Sequence, residues 1–215
     1  MAKVCYGDLA VFFNEDKHMN KKTFWASSVL VSAFMVAALP AYADDYKIDE
    51  THSFVQFRTQ HIGFSWLYGR FSVIGGSFTY DAAQPEKNSI AITVDVDSID
   101  TNHDLRDDHL QEKYLHTNKT PKASFKSSAY QGDANSGTVT GELTLNNVSK
   151  VVTIPIKKIG EGNDPWGGYR VGFEGTLTID TRDFGYKYEL GEKSYVVELQ
   201  LGVEGVRTSG KPAKS

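Results

Sequence analysis

From about residue 47 to residue 204, apolar and polar side chains alternate in short runs, the period-two signature of strands with one buried face. Ile90, Ile92, Val94 and Val96 alternate with Ala91, Thr93, Asp95 and Asp97. Val139, Gly141, Leu143 and Leu145 alternate with Thr138, Thr140, Glu142 and Thr144. The same alternation carries Val171 through Ile179 and Tyr195 through Val203. Further strands are expected over 47–59, 71–80, 123–131 and 150–159, about eight in all. One apolar face per strand excludes a parallel sheet covered on both sides. Asn146-Asn147 and the stretch from Gly132 to Gly137 are hairpin signals. The class is therefore all-β and antiparallel, and the pattern fits a sandwich or an up-and-down barrel. Glycines inside the runs (Gly75, Gly76, Gly141, Gly172 and Gly175) suit bends or close approaches in either architecture.

One stretch breaks the alternation. Residues 101–115 (TNHDLRDDHLQEKYL) read as a short helix between strands three and four, with Thr101 as N-cap and Asp104 in an acidic first turn. Leu110 and Tyr114 are i, i+4 neighbours able to face the sheet. The polar tail 207–215 is expected to fray.

The N-terminal region has a different character. Met19-Asn20-Lys21-Lys22 precedes an uncharged stretch over 23–39, then Pro40 and Ala41-Tyr42-Ala43. A basic start, an apolar middle and a small-x-small site form a secretory signal, with cleavage expected after Ala43. The apolar stretch approaches the lower limit for a membrane span, but Pro40 and the Ala-x-Ala triplet favour cleavage. Met19 is the more natural start, so residues 1–43 are read as an upstream extension plus leader. Residues 44–215 form one domain without repeats or linkers. The single Cys, Cys5, belongs to the extension. The expected location is the periplasm, without permanent membrane insertion.

Composition narrows the chemistry. The chain has 215 residues and a formal net charge of −4, which argues against nucleic acid as a partner. It has no GxSxG elbow, HExxH helix or P-loop. His103, Asp104, Asp107, Asp108 and His109 could supply metal ligands, but capping, lid–barrel hydrogen bonding and ion pairing with Arg106 are the favoured reading. His52 and His61 stand near the ends of the first strand without a paired nucleophile. No catalytic set, metal site or cofactor is expected. Aromatic residues crowd the first two strands and the link between them, from Phe54 to Tyr80, and cluster again around Trp166, Tyr169, Phe173 and Phe184. They fit a filled core or the lining of a cavity for an apolar ligand.

Four segments in a fixed order carry a resemblance. They are His52-Ser53-Phe54-Val55-Gln56-Phe57 through His61-x-Gly63-x-Ser65 to Gly69-Arg70-Phe71 and Gly75-Gly76; Arg106-Asp107-Asp108-His109-Leu110 with Pro121-x-Ala123-x-Phe125; Gly141-Glu142-Leu143-Thr144-Leu145-Asn146-Asn147; and Asp164-Pro165-Trp166-Gly167-Gly168-Tyr169-Arg170 with Asp183-Phe184-Gly185. With these motifs the chain resembles the YceI-like family, bacterial periplasmic proteins named for polyisoprenoid binding. Tyr114-Leu115 departs from the Phe-Phe or Phe-Leu pair more usual there.

The resemblance implies an eight-stranded antiparallel lipocalin-like barrel with a short helix between strands three and four, holding a polyisoprenoid or isoprenoid-quinone-like lipid as its ligand. On that basis the expected lining residues are Val55, Phe57, Phe71, Val94, Phe125, Leu143, Phe173 and Leu199, with Trp66, Leu110 and Trp166 near the openings. His61, Arg106, His109 and Arg170 are candidates for the lipid head group. One alternative is an enzyme using His61 or the His103/Asp107/His109 group. Another is a stress-response partner of membrane redox proteins. Oligomeric state is left open, and a homodimer is compatible with the sequence.

Overall fold

The computed structural model describes residues 43–209, except Val73 and Tyr188. The leader and Cys5 lie outside the described residues, as does the tail beyond Ser209. Among the described residues, eleven strands occupy eight barrel positions. The first holds β1 (Asp44–Ile48) and β2 (Phe54–His61), the second β3 (Ser65–Phe71) and β4 (Ile74–Tyr80), and the third β5 (Ser89–Asp95) and β6 (Ile99–Asp100). The others hold β7 (Lys122–Gly132), β8 (Ser136–Leu145), β9 (Val148–Asn163), β10 (Tyr169–Asp180) and β11 (Val196–Ser209). Every pairing is antiparallel and joins consecutive barrel positions, and β11 returns to the first position. It pairs with β1 through Lys47↔Val206 and with β2 through Gly202↔Phe54, and this closes an eight-stranded barrel.

The first strand, expected unbroken over 47–59, is interrupted after Ile48 by a turn fastened to β11. Asp49 N–H donates to the Glu204 carbonyl (2.8 Å), and the Ser53 hydroxyl exchanges bonds with the backbone of Glu204 (3.2 and 3.0 Å). Val96, expected to continue the third strand, sits in a 3-10 turn (Val96–Ser98) in which the Asp95 side chain caps Asp97 N–H (3.3 Å). Asn146 and Asn147 are both left-handed (φ 50° and 59°), the two-residue turn geometry for which Asn is suited. Part of the tail expected to fray is ordered: Arg207 belongs to β11 and pairs with Asp44 (3.0 Å).

The expected helix divides into α1 (Asp104–His109) and a π-helical turn (Leu110–Leu115), ending at left-handed His116. His103, not Thr101, is the N-cap, its Nδ1 accepting from Arg106 N–H (3.3 Å). The Thr101 hydroxyl is diverted because it donates to Asp107 Oδ1 (2.5 Å).

Inward side chains follow the alternation. At the β1 end, Tyr46 stacks on Phe78 (centroids 5.0 Å, planes 4° apart), while Phe78 and Tyr80 meet Phe173 edge-on (5.9 and 5.4 Å). Several inner rings occupy the side-chain space of a glycine. A Cβ on Gly69 would lie 2.4 Å from the Phe57 ring, one on Gly141 2.6 Å from Phe125, and one on Gly205 2.4 Å from Phe78. These glycines are seats for aromatic rings, a use that alternation alone does not distinguish from a bend.

Candidate functional site

A cavity of about 320 Å³ extends along the barrel interior. Its lining runs from Thr79, Tyr80 and Ala134 at one end to Gln60, His61, Leu190 and Ser194 at the other. Between them the wall is mostly aliphatic and aromatic, with contributions from all eight barrel positions and from the π-helical turn.

Polar atoms in the wall are largely committed to the protein. The Thr59 hydroxyl donates to the carbonyls of Ser194 (3.1 Å) and Val196 (3.0 Å). Tyr80 Oη donates to the Ala134 carbonyl (3.1 Å) and Tyr130 Oη to that of Asp133 (2.5 Å). Ser127 Oγ accepts from Ile90 N–H (2.9 Å). Among the described residues, no buried side-chain nitrogen or oxygen lacks a partner. Burial raises the phenols of Tyr80 and Tyr130 and pushes Tyr186 up to about 12, so all three stay neutral near neutrality. Such a wall offers apolar contact and little unspent hydrogen-bonding capacity.

Nine of the eleven expected lining residues face this cavity: Val55, Phe57, Phe71, Val94, Leu110, Phe125, Leu143, Phe173 and Leu199. Trp66 and Trp166 do not. Trp66 is on the outer face of β3 under the Arg58 guanidinium (4.4 Å to the ring), and Trp166 is an exposed turn residue. The same face-selecting alternation also points to Ile92, Leu177 and Leu201, which join the lining. Tyr186, Leu190 and Ser194 lie outside regular strands, and no periodicity marks them.

The head-group candidates are dispersed. His61 stands on the cavity rim. Arg106 is spent on Thr101, donating to its hydroxyl (2.7 Å) and its carbonyl (2.6 Å). His109 is exposed on α1 and does not line the cavity. Arg170 is locked between three carboxylates: Asp164 (2.8 Å), Asp49 (2.6 Å) and Glu204 (2.6 Å). Together these carboxylates raise the Arg170 pKa further. The Asp49 carboxyl is held well below the usual range, first by the Thr51 hydroxyl, then by Arg170 and His52.

The possible metal-binding group among the described residues is Asp49, His52 and Glu204, not the His103 region. Arg170 already supplies the cation to both carboxylates, so the arrangement works as an ion-pair staple joining the turn after β1 to β10 and β11. His103 caps α1 and Asp107 holds Thr101, so these two are engaged in local structure, while the His109 side chain is exposed.

A family model, YceI-like domain, matches residues 46–205. The chain belongs to the YceI-like family. A UPF0312 protein of Pseudomonas aeruginosa is 49% identical over 192 residues, covering 88% of this chain and 100% of the relative. Among solved structures, BcnA of Burkholderia cenocepacia shares the fold (TM-score 0.65, 24% identity, covering 73% of this chain and 98% of that one). So does a polyisoprenoid-binding domain from Saccharophagus degradans implicated in plant cell wall breakdown (TM-score 0.59, 17% identity, covering 76% and 98%). The barrel here is closed, antiparallel and eight-stranded, with one short helix, and shares its fold with those neighbours.

Proposed function

We propose that this protein binds a polyisoprenoid or isoprenoid-quinone-like lipid in the barrel cavity, without catalysis, and carries or stores it in the periplasm. The observation carrying this reading is the apolar cavity itself, about 320 Å³, within the range of small-molecule sites. Membership of the YceI-like family, and the binding named for the Saccharophagus degradans domain, support the ligand class.

The energetics agree. Each methylene withdrawn from water contributes about 0.8 kcal/mol, so a five-carbon unit contributes about 2–4 kcal/mol before association costs. A few enclosed units suffice for micromolar binding. The periplasmic setting rests on the leader pattern over 19–43.

Native mass spectrometry after gentle extraction, followed by identification of any released lipid, tests the reading. A prenyl lipid retained by the native chain and displaced in Leu199→Trp is the expected result. Protein consistently free of lipid despite membrane exposure overturns it. Stoichiometric metal, or an activity lost in His109→Ala, would instead favour the enzyme alternative.

A further inference from the structure

The turn between β2 and β3 is built against its own local chemistry. His61 and Ser65 close the hairpin, Phe64 N–H donates to the His61 carbonyl (2.9 Å), and the two central residues are left-handed: Ile62 at φ 52° and Gly63 at 81°. Gly63 suits that geometry. Ile62 does not, because a β-branched side chain in the left-handed region is strained and Asn, Asp or Gly is the usual occupant. Burial does not compensate: Ile62 is 48% exposed and Phe64 is 86% exposed.

Side chains along β3 are ordered by polarity. Leu67 faces the cavity, so Trp66 and Tyr68 are on the outer face, 42% and 60% exposed. An aliphatic and a phenyl group stand at the tip, an indole comes next, and a phenol lies about 7 Å further along. Purely apolar side chains at the tip followed by amphipathic Trp and Tyr match the acyl region and the interfacial aromatic belt of a bilayer.

One cation sits at the tip. Arg58, which covers Trp66, is already paired with Glu198 (2.6 Å), whereas the Lys193 stem lies against Gly63 (3.4 Å from where a Cβ would be). The Glu192 carboxylate beside it is already engaged by Arg182 (2.5 Å). Lys193 therefore faces the tip as a positive charge complementary to lipid phosphate. The same hairpin supplies His61 and Leu67 to the cavity lining, so its apolar outer tip is continuous with the cavity rim.

We propose that the β2–β3 hairpin is a membrane-docking element that inserts Ile62 and Phe64 into a bilayer surface and sets the cavity rim against the lipid. Such docking takes its purpose from the lipid-binding reading, but its geometry stands independently. The partner is a bilayer, because a protein interface or a second copy would not require the tip-to-base polarity order.

The test is flotation of the protein with vesicles of phosphatidylethanolamine and phosphatidylglycerol. The variant pairs Ile62→Asn, which suits the left-handed turn, with Phe64→Ser. The native chain is expected to float with the vesicles, and the double variant to partition at least about tenfold more weakly. Its thermal midpoint should be equal or higher, since Asn relieves the strain at position 62, and its uptake of a detergent-solubilised prenol should be unchanged. Lys193→Glu should weaken binding further on these anionic vesicles and little on phosphatidylcholine. A native chain that ignores vesicles overturns the proposal. So does a double variant that partitions equally well, or self-association that the double variant abolishes without any vesicle binding. If prenol uptake fails while Phe64-dependent flotation persists, docking stands and the lipid-binding reading falls.

Discussion

Two strand glycines, Gly205 in β11 and Gly160 in β9, should respond oppositely to the same added methyl group. A Cβ on Gly205 would fall 2.4 Å from two atoms of the Phe78 ring and 3.0 Å from Tyr46 Cβ. Phe78 is buried, stacked on Tyr46 and edge-on to Phe173, so moving its ring disturbs two aromatic contacts. Overpacking of this kind costs about 1–3 kcal/mol. The smaller conformational entropy of an unfolded chain carrying Ala offsets about 0.4–1 kcal/mol. Gly205→Ala should therefore lose about 1–2 kcal/mol. A Cβ on Gly160 meets nothing within 4 Å, and its φ is not left-handed. Gly160→Ala should gain about 0.4–1 kcal/mol. Urea unfolding separates the two, because the midpoint moves while the slope stays constant. At about 2–4 °C per kcal/mol for a chain of this size, thermal midpoints should move a few degrees in opposite directions. A neutral Gly205→Ala, or shifts of the same sign, would refute the claim that the Phe78 ring occupies the glycine's side-chain space.

Two further predictions concern titration. Arg170→Met leaves Asp49, Asp164 and Glu204 facing one another, and should cost about 1–3 kcal/mol in urea unfolding at neutral pH, discounting for partial exposure. Because Asp49 has a lowered folded pKa, its contribution is fully present above about pH 4 and is lost as pH falls through the folded value. The variant should therefore lose stability less steeply below about pH 4 than the native chain. At the other extreme, Tyr186 is raised to about 12 by burial, so its contribution is complete below about pH 10 and lost as pH rises from about 10 to about 12. Burial raises Tyr46, Tyr80 and Tyr130 as well, so absorbance titration of tyrosinate should show a late phase that shrinks by one residue's amplitude in Tyr186→Phe.

The sequence made the faces of the strands legible because burial on one side of a pleated strand enforces a period of two. Val139, Leu143, Phe173 and Leu199 could be placed inward on that ground alone. The resemblance was needed to decide between a filled core and a container, since an aromatic side chain reads the same in both. Breaks such as the one at Asp49 were hidden, because they depend on bonds to Glu204, some 150 residues away. Trp66 and Trp166, expected near the openings, do not line the cavity. An exposed Trp held by a cation has the same composition as one at a cavity opening. Arg170 and Arg106 were chemically plausible anchors, and only their fixed partners show that they are already occupied.

The closing pairings of β11 also bear on the order of assembly. Its two edges meet β10 on one side and the N-terminal β1 and β2 on the other, so the ring is joined by contacts between the first and last strands of the barrel. A chain emerging from its N-terminus must wait for residues 196–209 before either flank is covered, and such long-range closure is slow. Until then the sheet has two open edges and an accessible interior. Truncation before Val196 should therefore yield an aggregating sheet, not a smaller barrel, and the interval before closure is an opportunity for a long hydrophobic chain to be enclosed without threading.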